Sequence, residues 1–305
     1  MVMKELIIRC LTGVAFVAIL VGGIMYGPAT FALLFAVITG MAVWEFCTVM
    51  NNNAECQINR MITTVASVYF FGCVLAFNAN IAGSEVFIPY LLTIIYLIIS
   101  ELYFKDNNTL LNWSFTLMSQ LYVALPFALL NTLSFFAVSY GYGDAGVIYN
   151  PVFTLSIFIF LWSSDSGAYS FGSWLGKHRL FPRISPHKSW EGVFGGALVA
   201  IIASQIIATY SNSFSAESDT YNRLAWGGLA LVVVVFGTWG DLVESLLKRK
   251  LGIKDSGTIL PGHGGMLDRF DSSLIAIPAA VVYIYIINSA SFSQMLVKIT
   301  SLFNL

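Results

Sequence analysis

Long apolar runs separated by short polar segments make up most of this chain. Many of the runs approach the roughly 20 residues that a helix needs to cross the hydrocarbon core of a bilayer. The tightest boundary between two of them is Gly27-Pro28. The pattern predicts an all-α, polytopic membrane protein with about nine transmembrane helices, near residues 6–26, 29–50, 61–79, 87–104, 114–137, 151–171, 192–210, 224–243 and 273–289.

The composition supports a membrane protein. Of the 305 residues, 57% are hydrophobic and 10% are charged, whereas a soluble domain carries about 25% charged residues. The first apolar run follows Lys4 and Arg9, but it lacks a small-residue cleavage site and a second run follows at once, so we expect it to be retained. We expect one continuous membrane domain, with amino-terminal helices in 1–137 and a catalytic region with two polar loops in 138–305.

The distribution of Lys and Arg predicts the orientation in the membrane. One side would hold the amino terminus and the segments 51–60, 105–113, 172–191 and 244–272. It then carries 13 of the 15 Lys and Arg residues, which makes it the cytoplasmic side. The two largest polar loops, 172–191 and 244–272, share that side, so we expect them to build one polar active site at the cytoplasmic face.

An acidic face follows the eighth predicted helix. Asp241, Glu244, Ser245 and Lys248 have i, i+3, i+4, i+7 spacing, so they lie on one side of a helix. Asp241 comes directly after an apolar run, where an ionised group is costly unless it is paired, hydrated or bound to a metal. The alternative to a metal site is an interfacial acid paired with Lys248 or Arg249.

A second acidic pair follows a glycine-rich turn. Asp268 and Asp271 are three residues apart, after the turn PGHGG at Pro261–Gly265. Glycines allow the backbone to approach a ligand closely, and the N–H groups at a helix start suit phosphate. Helix capping would explain one Asp, but it explains less well two that flank Arg269, so metal or phosphate binding is favoured. His263 in the turn stays open between a general base, a phosphate donor and a turn residue.

The other polar loop begins near the end of the sixth predicted helix. Asp165 lies among serines there, and we expect it to be buried and functional, or else part of a polar network between helices. Ser185 and Lys188 could bind a triphosphate, although basic residues beside a membrane also serve as an orientation signal or contact anionic lipids. We interpret Glu45 and Glu101 first as residues at helix ends and second as walls of a site.

One 27-residue segment resembles a known signature. The run SLLKRKLGIKDSGTILPGHGGMLDRFD, Ser245 to Asp271, is similar to the signature of phosphatidate cytidylyltransferases, also called CDP-diglyceride synthases. The fixed places of that signature are filled by Ser245, Lys248, Arg249, Lys254, Asp255, His263, Gly264, Gly265, Asp268, Arg269 and Asp271. The region from Asp165 through SPHKSWEG also resembles the family, with His187 before Lys188 as a departure. The amino-terminal half is similar only in hydropathy and span count.

The resemblance implies a reaction in which CTP and phosphatidic acid give CDP-diacylglycerol and pyrophosphate. It implies Mg²⁺, with Asp241 and Asp268 as the first candidate ligands, Asp271 and Asp165 as the second, and a second cation as an option. The remaining residues that it implicates in catalysis or substrate binding are Lys248, Arg249, His263, Arg269, Ser185, Lys188, Ser245, Lys254, Gly264 and Gly265.

The resemblance also implies partners and a location. The partners are CTP, phosphatidic acid and the lipid bilayer, without nucleic acid and with a homodimer as an option, in the inner membrane of a bacterium. One alternative is a CTP-dependent lipid kinase, which would not be expected to fill the signature. Another is an ion-coupled transporter, whose acids should lie near the bilayer centre, whereas these acids cluster at one face.

Overall fold

Helices dominate the computed structural model, which describes residues 2–103, 108–139, 145–214, 218–259 and 264–288. The amino-terminal helices are α1 (Val2–Tyr26), α2 (Pro28–Asn53), α3 (Arg60–Asn78), α4 (Ile88–Ser100), α5 (Thr109–Met118) and α6 (Leu125–Ser134). A 3₁₀ turn precedes α4 at Ser84–Phe87, another follows it at Glu101–Tyr103, and a π-helical segment, Ser119–Ala124, joins α5 to α6. The predicted break at Gly27-Pro28 is confirmed, because α2 begins with the proline. Proline suits the first position of a helix, where a backbone N–H would have no acceptor within the helix.

The second part of the chain contains five helices and two hairpins among the described residues. The helices are α7 (Val152–Leu175), α8 (Trp190–Tyr210), α9 (Asp219–Lys250), α10 (Leu267–Phe270) and α11 (Ser273–Ile287). The strands β1 (Phe135–Ser139) and β2 (Ala145–Tyr149) pair antiparallel, with Phe135 opposite Tyr149. The strands β3 (Arg179–Phe181) and β4 (Ser185–Ser189) form the second antiparallel pair.

The predicted fold class, an all-α polytopic membrane protein, is confirmed. Seven helical segments among the described residues are long and apolar enough to cross a bilayer: Pro28–Asn53, Arg60–Asn78, Ser84–Tyr103, Thr109–Ser134, Trp190–Tyr210, Asp219–Lys250 and Leu267–Ile287. Helices α1 and α7 coincide with the first and sixth predicted spans. The total of nine spans and the cytoplasmic side of the site stay predictions.

The fifth predicted helix ends earlier than expected. We predicted it to reach residue 137, but α6 ends at Ser134 and the chain continues as β1. Asn150 closes the hairpin by donating its backbone N–H to the carbonyl oxygen of Ser134 at 2.8 Å. A short apolar run of aromatic and β-branched residues suits a strand as well as a helix end, so hydropathy alone could not separate them.

The chain divides into two compact units. The first comprises Met1–Leu155 and Asp241–Leu274, and the second comprises Ser156–Gly240 and Ile275–Leu305. These two units do not correspond to the two regions, 1–137 and 138–305, that we predicted within one membrane domain. The predicted start of the catalytic region at residue 138 stays a prediction. The signature segment belongs to the first unit, whereas Asp165, Ser185 and Lys188 belong to the second.

The first unit has an aromatic core that fixes the signature. Phe31, Phe35 and Phe127 are fully buried in it. Phe270, the last residue of α10, packs edge-on to Phe127 with ring centroids 5.2 Å apart, and edge-on to Phe16 at 5.7 Å. Because Phe270 is anchored in this core, the neighbouring Asp268 and Arg269 are held beside it.

In the second unit, glycines allow α7 and α8 to approach each other closely. A methyl group added to Gly196 would lie 2.6 Å from the carbonyl oxygen of Ser164, and one added to Gly167 would lie 2.9 Å from the carbonyl oxygen of Gly195. These neighbours are backbone atoms, which cannot move without shifting a helix. The contact therefore requires glycine at both positions.

We expect Gly196→Ala to destabilise the protein by about 1–3 kcal/mol, the usual effect of overpacking a close contact. The matched control is Gly72→Ala in α3, where an added methyl group meets nothing within 4 Å. The control should leave stability unchanged or raise it by up to ~1 kcal/mol, because alanine favours a helix over glycine. Thermal unfolding midpoints in detergent test this, and equal midpoints for the two variants would contradict it.

Candidate active site

The carboxyl-terminal part of α9 carries the acidic face that its spacing predicts. Ser245 Oγ donates a hydrogen bond to Asp241 Oδ1 at 3.0 Å. One turn further along, Lys248 Nζ forms an ion pair with Glu244 Oε2 at 2.5 Å. The structure thus joins these four side chains in two i, i+4 pairs, with Asp241 and Ser245 half-buried and Glu244 fully buried.

Lys248 is shared between two buried carboxylates. Its Nζ lies 2.5 Å from Glu244 and 2.9 Å from Asp268 Oδ1. Neither oxygen of Glu244 has a hydrogen bond of good geometry from a donor among the described residues, so this ion pair compensates its charge. A buried acid without such a cation would be strongly unfavourable. Lys248 therefore joins α9 to the Asp268 segment, which is a structural role that the sequence did not assign to it.

The carboxylate of Asp268 organises the turn before it. Besides Lys248, Oδ1 accepts a hydrogen bond from the backbone N–H of Ser256 at 3.2 Å, and Oδ2 accepts from the same N–H at 3.0 Å and from that of Gly265 at 2.8 Å. A carboxylate offers about four lone-pair sites. Three protein donors make four contacts with these oxygens, because the N–H of Ser256 is shared between both, so the carboxylate is held mainly by the protein.

Glu45 of α2 enters the site from far along the chain. It is 4% exposed, and its Oε2 accepts a hydrogen bond from the backbone N–H of Met266 at 2.8 Å. Its Oε1 accepts from the N–H of Leu267 at 3.1 Å and from the hydroxyl of Ser256. We had interpreted Glu45 first as a helix-end residue, and the only sequence signal for this contact is an acid within an apolar run.

The glycines of the signature lie against these carboxylates. A methyl group on Gly264, which has a φ of +85°, would lie 2.6 Å from Asp268 Oδ2. One on Gly257 would lie 2.8 Å from Glu45 Oε2, and Gly265 is similarly confined by Glu45. The N–H groups of Gly265, Met266 and Leu267, which we expected to be available for phosphate, all donate to Asp268 or Glu45. His263 lies outside the described residues, and its role stays open.

The three basic side chains at fixed places of the signature other than Lys248 are exposed, namely Arg249, Lys254 and Arg269. In contrast, Asp241 and Asp271 are half-buried. The hydroxyl of Tyr122, in the π-helical segment, is buried without a hydrogen-bond partner among the described residues, and it interacts electrostatically with Glu244, Asp271 and Asp241. A tyrosine in an apolar run gave no sequence signal for this position.

The carboxylates of Asp241 and Asp271 are the side chains that could hold a magnesium ion together with a substrate. No group of three His, Cys, Asp or Glu side chains with metal-ligand geometry occurs among the described residues. Mg²⁺, however, is usually held by one or two carboxylates together with waters and substrate phosphates. Asp241 and Asp271 could supply such carboxylates. A metal held by them would take its remaining ligands from water and from a substrate rather than from the protein.

The second polar region is not a plain loop. The end of α7 and the β3–β4 hairpin occupy most of it, and Ser189 caps α8 by accepting the N–H of Gly192 at 3.2 Å. The expectation that Asp165 is buried is wrong, because its side chain is exposed. The neighbouring Ser164 and Gly167 instead form the buried side of α7, which faces α8.

Ser185 and Lys188 lie on β4 and are half-buried. The backbone of that strand is held to β3 by Arg179, whose Nη1 donates to the carbonyl oxygen of His187 at 3.3 Å. Glu191, at the start of α8, accepts the backbone N–H of His178 and contacts its Nδ1 at 2.5 Å. The contact of Ser185 and Lys188 with a triphosphate stays a prediction, as does their part in one site with the signature.

Comparisons with known proteins identify the same family that the signature resembles. A family model described as "Cytidylyltransferase family" matches residues 7–287. A protein from Staphylococcus haemolyticus is 31% identical over 274 residues, which cover 89% of this chain and 96% of that relative. Relatives from Staphylococcus aureus and Staphylococcus epidermidis are 38% and 39% identical over 176 residues, which cover 57% of this chain and 60% of each relative. All three relatives are named phosphatidate cytidylyltransferase.

We expect Lys248→Met to destabilise the protein by about 3–5 kcal/mol, because it leaves the buried Glu244 and Asp268 without their shared cation. Adding Glu244→Gln should recover at least ~1 kcal/mol of that loss, since it removes one of the two unpaired charges. Thermal and denaturant unfolding in detergent measure both effects.

The matched control for this prediction is Lys250→Met, at the exposed end of the same helix. It should change stability by no more than about 0.5 kcal/mol, as surface substitutions usually do. Equal losses for Lys248→Met and Lys250→Met would contradict the shared ion pair.

Proposed function

We propose that this chain, which belongs to the cytidylyltransferase family, is a phosphatidate cytidylyltransferase. It would transfer CMP from CTP to phosphatidic acid and release pyrophosphate. The observation that carries the proposal is the complete signature from Ser245 to Asp271, in a chain that aligns with 96% of a relative of that name.

The reaction needs no nucleophile from the protein. A phosphate oxygen of phosphatidate attacks the α-phosphorus of CTP, a new P–O bond forms, and the bond to the β-phosphate oxygen breaks as pyrophosphate leaves. The protein therefore has to align the two phosphates and balance the negative charge that gathers between them. A site built from carboxylates, basic side chains and a fixed turn meets these requirements.

Basic side chains would bind the phosphates. Arg249, Lys254 and Arg269 are exposed, so their charges are accessible to a substrate. Phosphoryl-transfer sites use such groups with a metal to neutralise the transferred phosphate. Lys248 is assigned a different task, because its ammonium lies between Glu244 and Asp268 and holds the signature together.

Asp241 and Asp271 would hold Mg²⁺, with Asp268 as the residue that positions the segment between them. This assignment favours Asp271 over Asp268 because Asp271 is half-buried, whereas Asp268 is buried; Asp271 Oδ1 itself accepts the backbone N–H of Ser272, and that oxygen would have to exchange this donor if it coordinated the metal. When bound there, the metal would supply positive charge to the CTP phosphates.

The finer assignments follow from this function. Ser185 and Lys188 would contact CTP, Gly264 and the turn with His263 would shape the site, and the lipid chains would enter from the bilayer. The enzyme would lie in the plasma membrane of a bacterium with the site at the cytoplasmic face, because most Lys and Arg residues fall on that side of the predicted topology. A homodimer stays an option that solution measurements decide.

The reaction is tested with purified full-length protein in detergent, phosphatidate, Mg²⁺ and labelled CTP. Label at the α-phosphorus should enter the lipid, label at the γ-phosphorus should leave as pyrophosphate, and the two products should form in equal amounts. Transfer of the γ-label to the lipid would identify a CTP-dependent kinase instead. Absence of both transfers would refute the proposal.

The metal assignment predicts that Asp241→Asn and Asp271→Asn each lower kcat/KM by at least about 100-fold, the size typical for losing electrostatic stabilisation of a transition state. Both variants should also weaken Mn²⁺ binding, measured by electron paramagnetic resonance in the presence of CTP. Asp219→Asn is the control, because Asp219 is an exposed acid that pairs with Arg223 at the other end of α9. Unchanged Mn²⁺ binding in both site variants would refute the assignment.

A further inference from the structure

We propose that Glu45 is a positioning residue of the active site: its carboxylate holds the turn and helix start that carry Asp268, Arg269 and Asp271. The inference rests on the proposed function for its kinetic consequence, and on the hydrogen bonds of Glu45 for its geometry. It assigns a specific task to a residue of α2, outside the signature segment; the family model and the Staphylococcus haemolyticus relative both extend over most of the amino-terminal half as well.

The contacts of Glu45 reach across the sequence. The backbone N–H groups of Met266 and Leu267, 221 and 222 residues away, donate to its two oxygens at 2.8 and 3.1 Å. The hydroxyl of Ser256 donates to Oε1 as well. Because Glu45 is 4% exposed, solvent cannot easily replace these donors, and the segment must fold so as to deliver them.

Glu45 also solves a problem at the start of α10. The first N–H groups of a helix have no acceptor within that helix, and the residue before α10, Met266, provides no side-chain cap. A carboxylate from α2 accepts two of these N–H groups. Hydrogen bonds to an ionised acceptor are roughly twice as strong as neutral ones, so this cap fixes the direction in which α10 leaves the turn.

The space around the carboxylate is equally specific. A methyl group on Gly257 would lie 2.8 Å from Glu45 Oε2 and 3.3 Å from Gly265 Cα. Gly265 itself leaves no room for a side chain beside Glu45. The two glycines and the carboxylate therefore fit each other, and neither a shorter nor a bulkier side chain at position 45 would preserve both the contacts and the space.

Ser256 connects Glu45 to the candidate catalytic groups. Its hydroxyl donates to Glu45, and its backbone N–H donates to both oxygens of Asp268. Asp268 in turn pairs with Lys248. A displacement at Glu45 is thus transmitted through one residue to the acid that organises the signature. A misplacement of about 1 Å can reduce a rate by about 100-fold when reacting groups must be aligned.

Glu45→Gln tests the carboxylate without changing the size of the side chain. If the amide oxygen takes the place of Oε1, the amide N–H₂ group faces the N–H of Met266. If the oxygen takes the place of Oε2, the N–H₂ group faces the N–H of Leu267. In either orientation one backbone donor loses its acceptor and meets another donor.

The matched control is Glu101→Gln. Glu101 is a half-buried acid of the same unit, and its Oε2 accepts a hydrogen bond from Asn112 Nδ2 at 2.8 Å. A glutamine oxygen can still accept that bond, so this variant carries the same chemical change without removing an acceptor. It lies outside the residues assigned to catalysis or binding.

The experiment combines hydrogen exchange with kinetics on the purified full-length protein in detergent. In Glu45→Gln, amide exchange in peptides that cover 264–270 should accelerate by at least about tenfold, because these N–H groups lose a strong acceptor. The kcat for CDP-diacylglycerol formation, per folded enzyme, should fall by about 10–100-fold. The KM for CTP should stay within about threefold, since substrate contacts remain. Glu101→Gln should match the wild type in all three measurements.

The other outcomes overturn the inference. Wild-type exchange in Glu45→Gln would mean that the carboxylate does not hold the segment. Faster exchange with an unchanged kcat would mean that the contact is structural and does not position the site. A loss confined to KM would make Glu45 a substrate-binding group instead. A wild-type protein without turnover refutes the proposed function, and the exchange result then decides separately whether Glu45 holds the segment.

If Glu45→Gln does not fold, Ser256→Ala provides the second variant. It removes one donor to Glu45 but keeps the backbone N–H groups of Met266 and Leu267 on the carboxylate. Exchange in 264–270 should then accelerate less than tenfold, and kcat should fall by a smaller factor than we expect for Glu45→Gln. Wild-type values for both measurements would overturn the inference.

Discussion

The signature segment is held in shape by the need to compensate buried negative charge. Glu45, Glu244 and Asp268 are all buried, and the ammonium of Lys248 is shared by the last two. The remaining compensation comes from N–H and O–H donors of the chain between Ser256 and Leu267. A buried carboxylate that lost these donors would destabilise the protein by several kcal/mol. The backbone of this segment therefore adopts a conformation that points its N–H groups at the acids.

This constraint separates the residues of the signature into two groups. The first group faces inward and builds the segment: Lys248, Ser256, Gly257, Gly264, Gly265 and Asp268. The second group keeps exposed or half-buried side chains that are accessible to a substrate: Arg249, Lys254, Arg269 and Asp271, together with Asp241 just before the signature. The density of this motif thus reflects two demands: the first is to hold the segment in shape, and the second, in the function proposed above, is to bind phosphate groups.

The parts of the site that could be predicted from the sequence depend on local spacing. The face of Asp241, Ser245 and Lys248 follows from the helical repeat alone, and the structure places these side chains as the repeat requires. Glu45 could not be placed, because hydropathy does not indicate which residue 221 positions away satisfies an acid in an apolar run. The exposure of Asp165 was also missed. The sequence of an apolar helix does not show which of its sides packs against a neighbouring helix, so it does not show which polar residues stay exposed. The β1–β2 hairpin was missed for a similar reason, because its strands are as apolar as a helix end.

A single polar residue in an otherwise apolar helix can therefore hold a segment that lies far away in the sequence. At the apolar positions of α2, one apolar residue can replace another at little cost in stability as long as the volume is preserved. Hydropathy shows only that these positions are apolar. Position 45 differs because its neighbours are three hydrogen-bond donors and two glycines, and an apolar side chain would leave all three donors without an acceptor. The cost of such a change is set by the donors, which belong to the signature. Helix α2 is thus coupled to the signature segment through hydrogen bonds from Ser256, Met266 and Leu267 to one carboxylate.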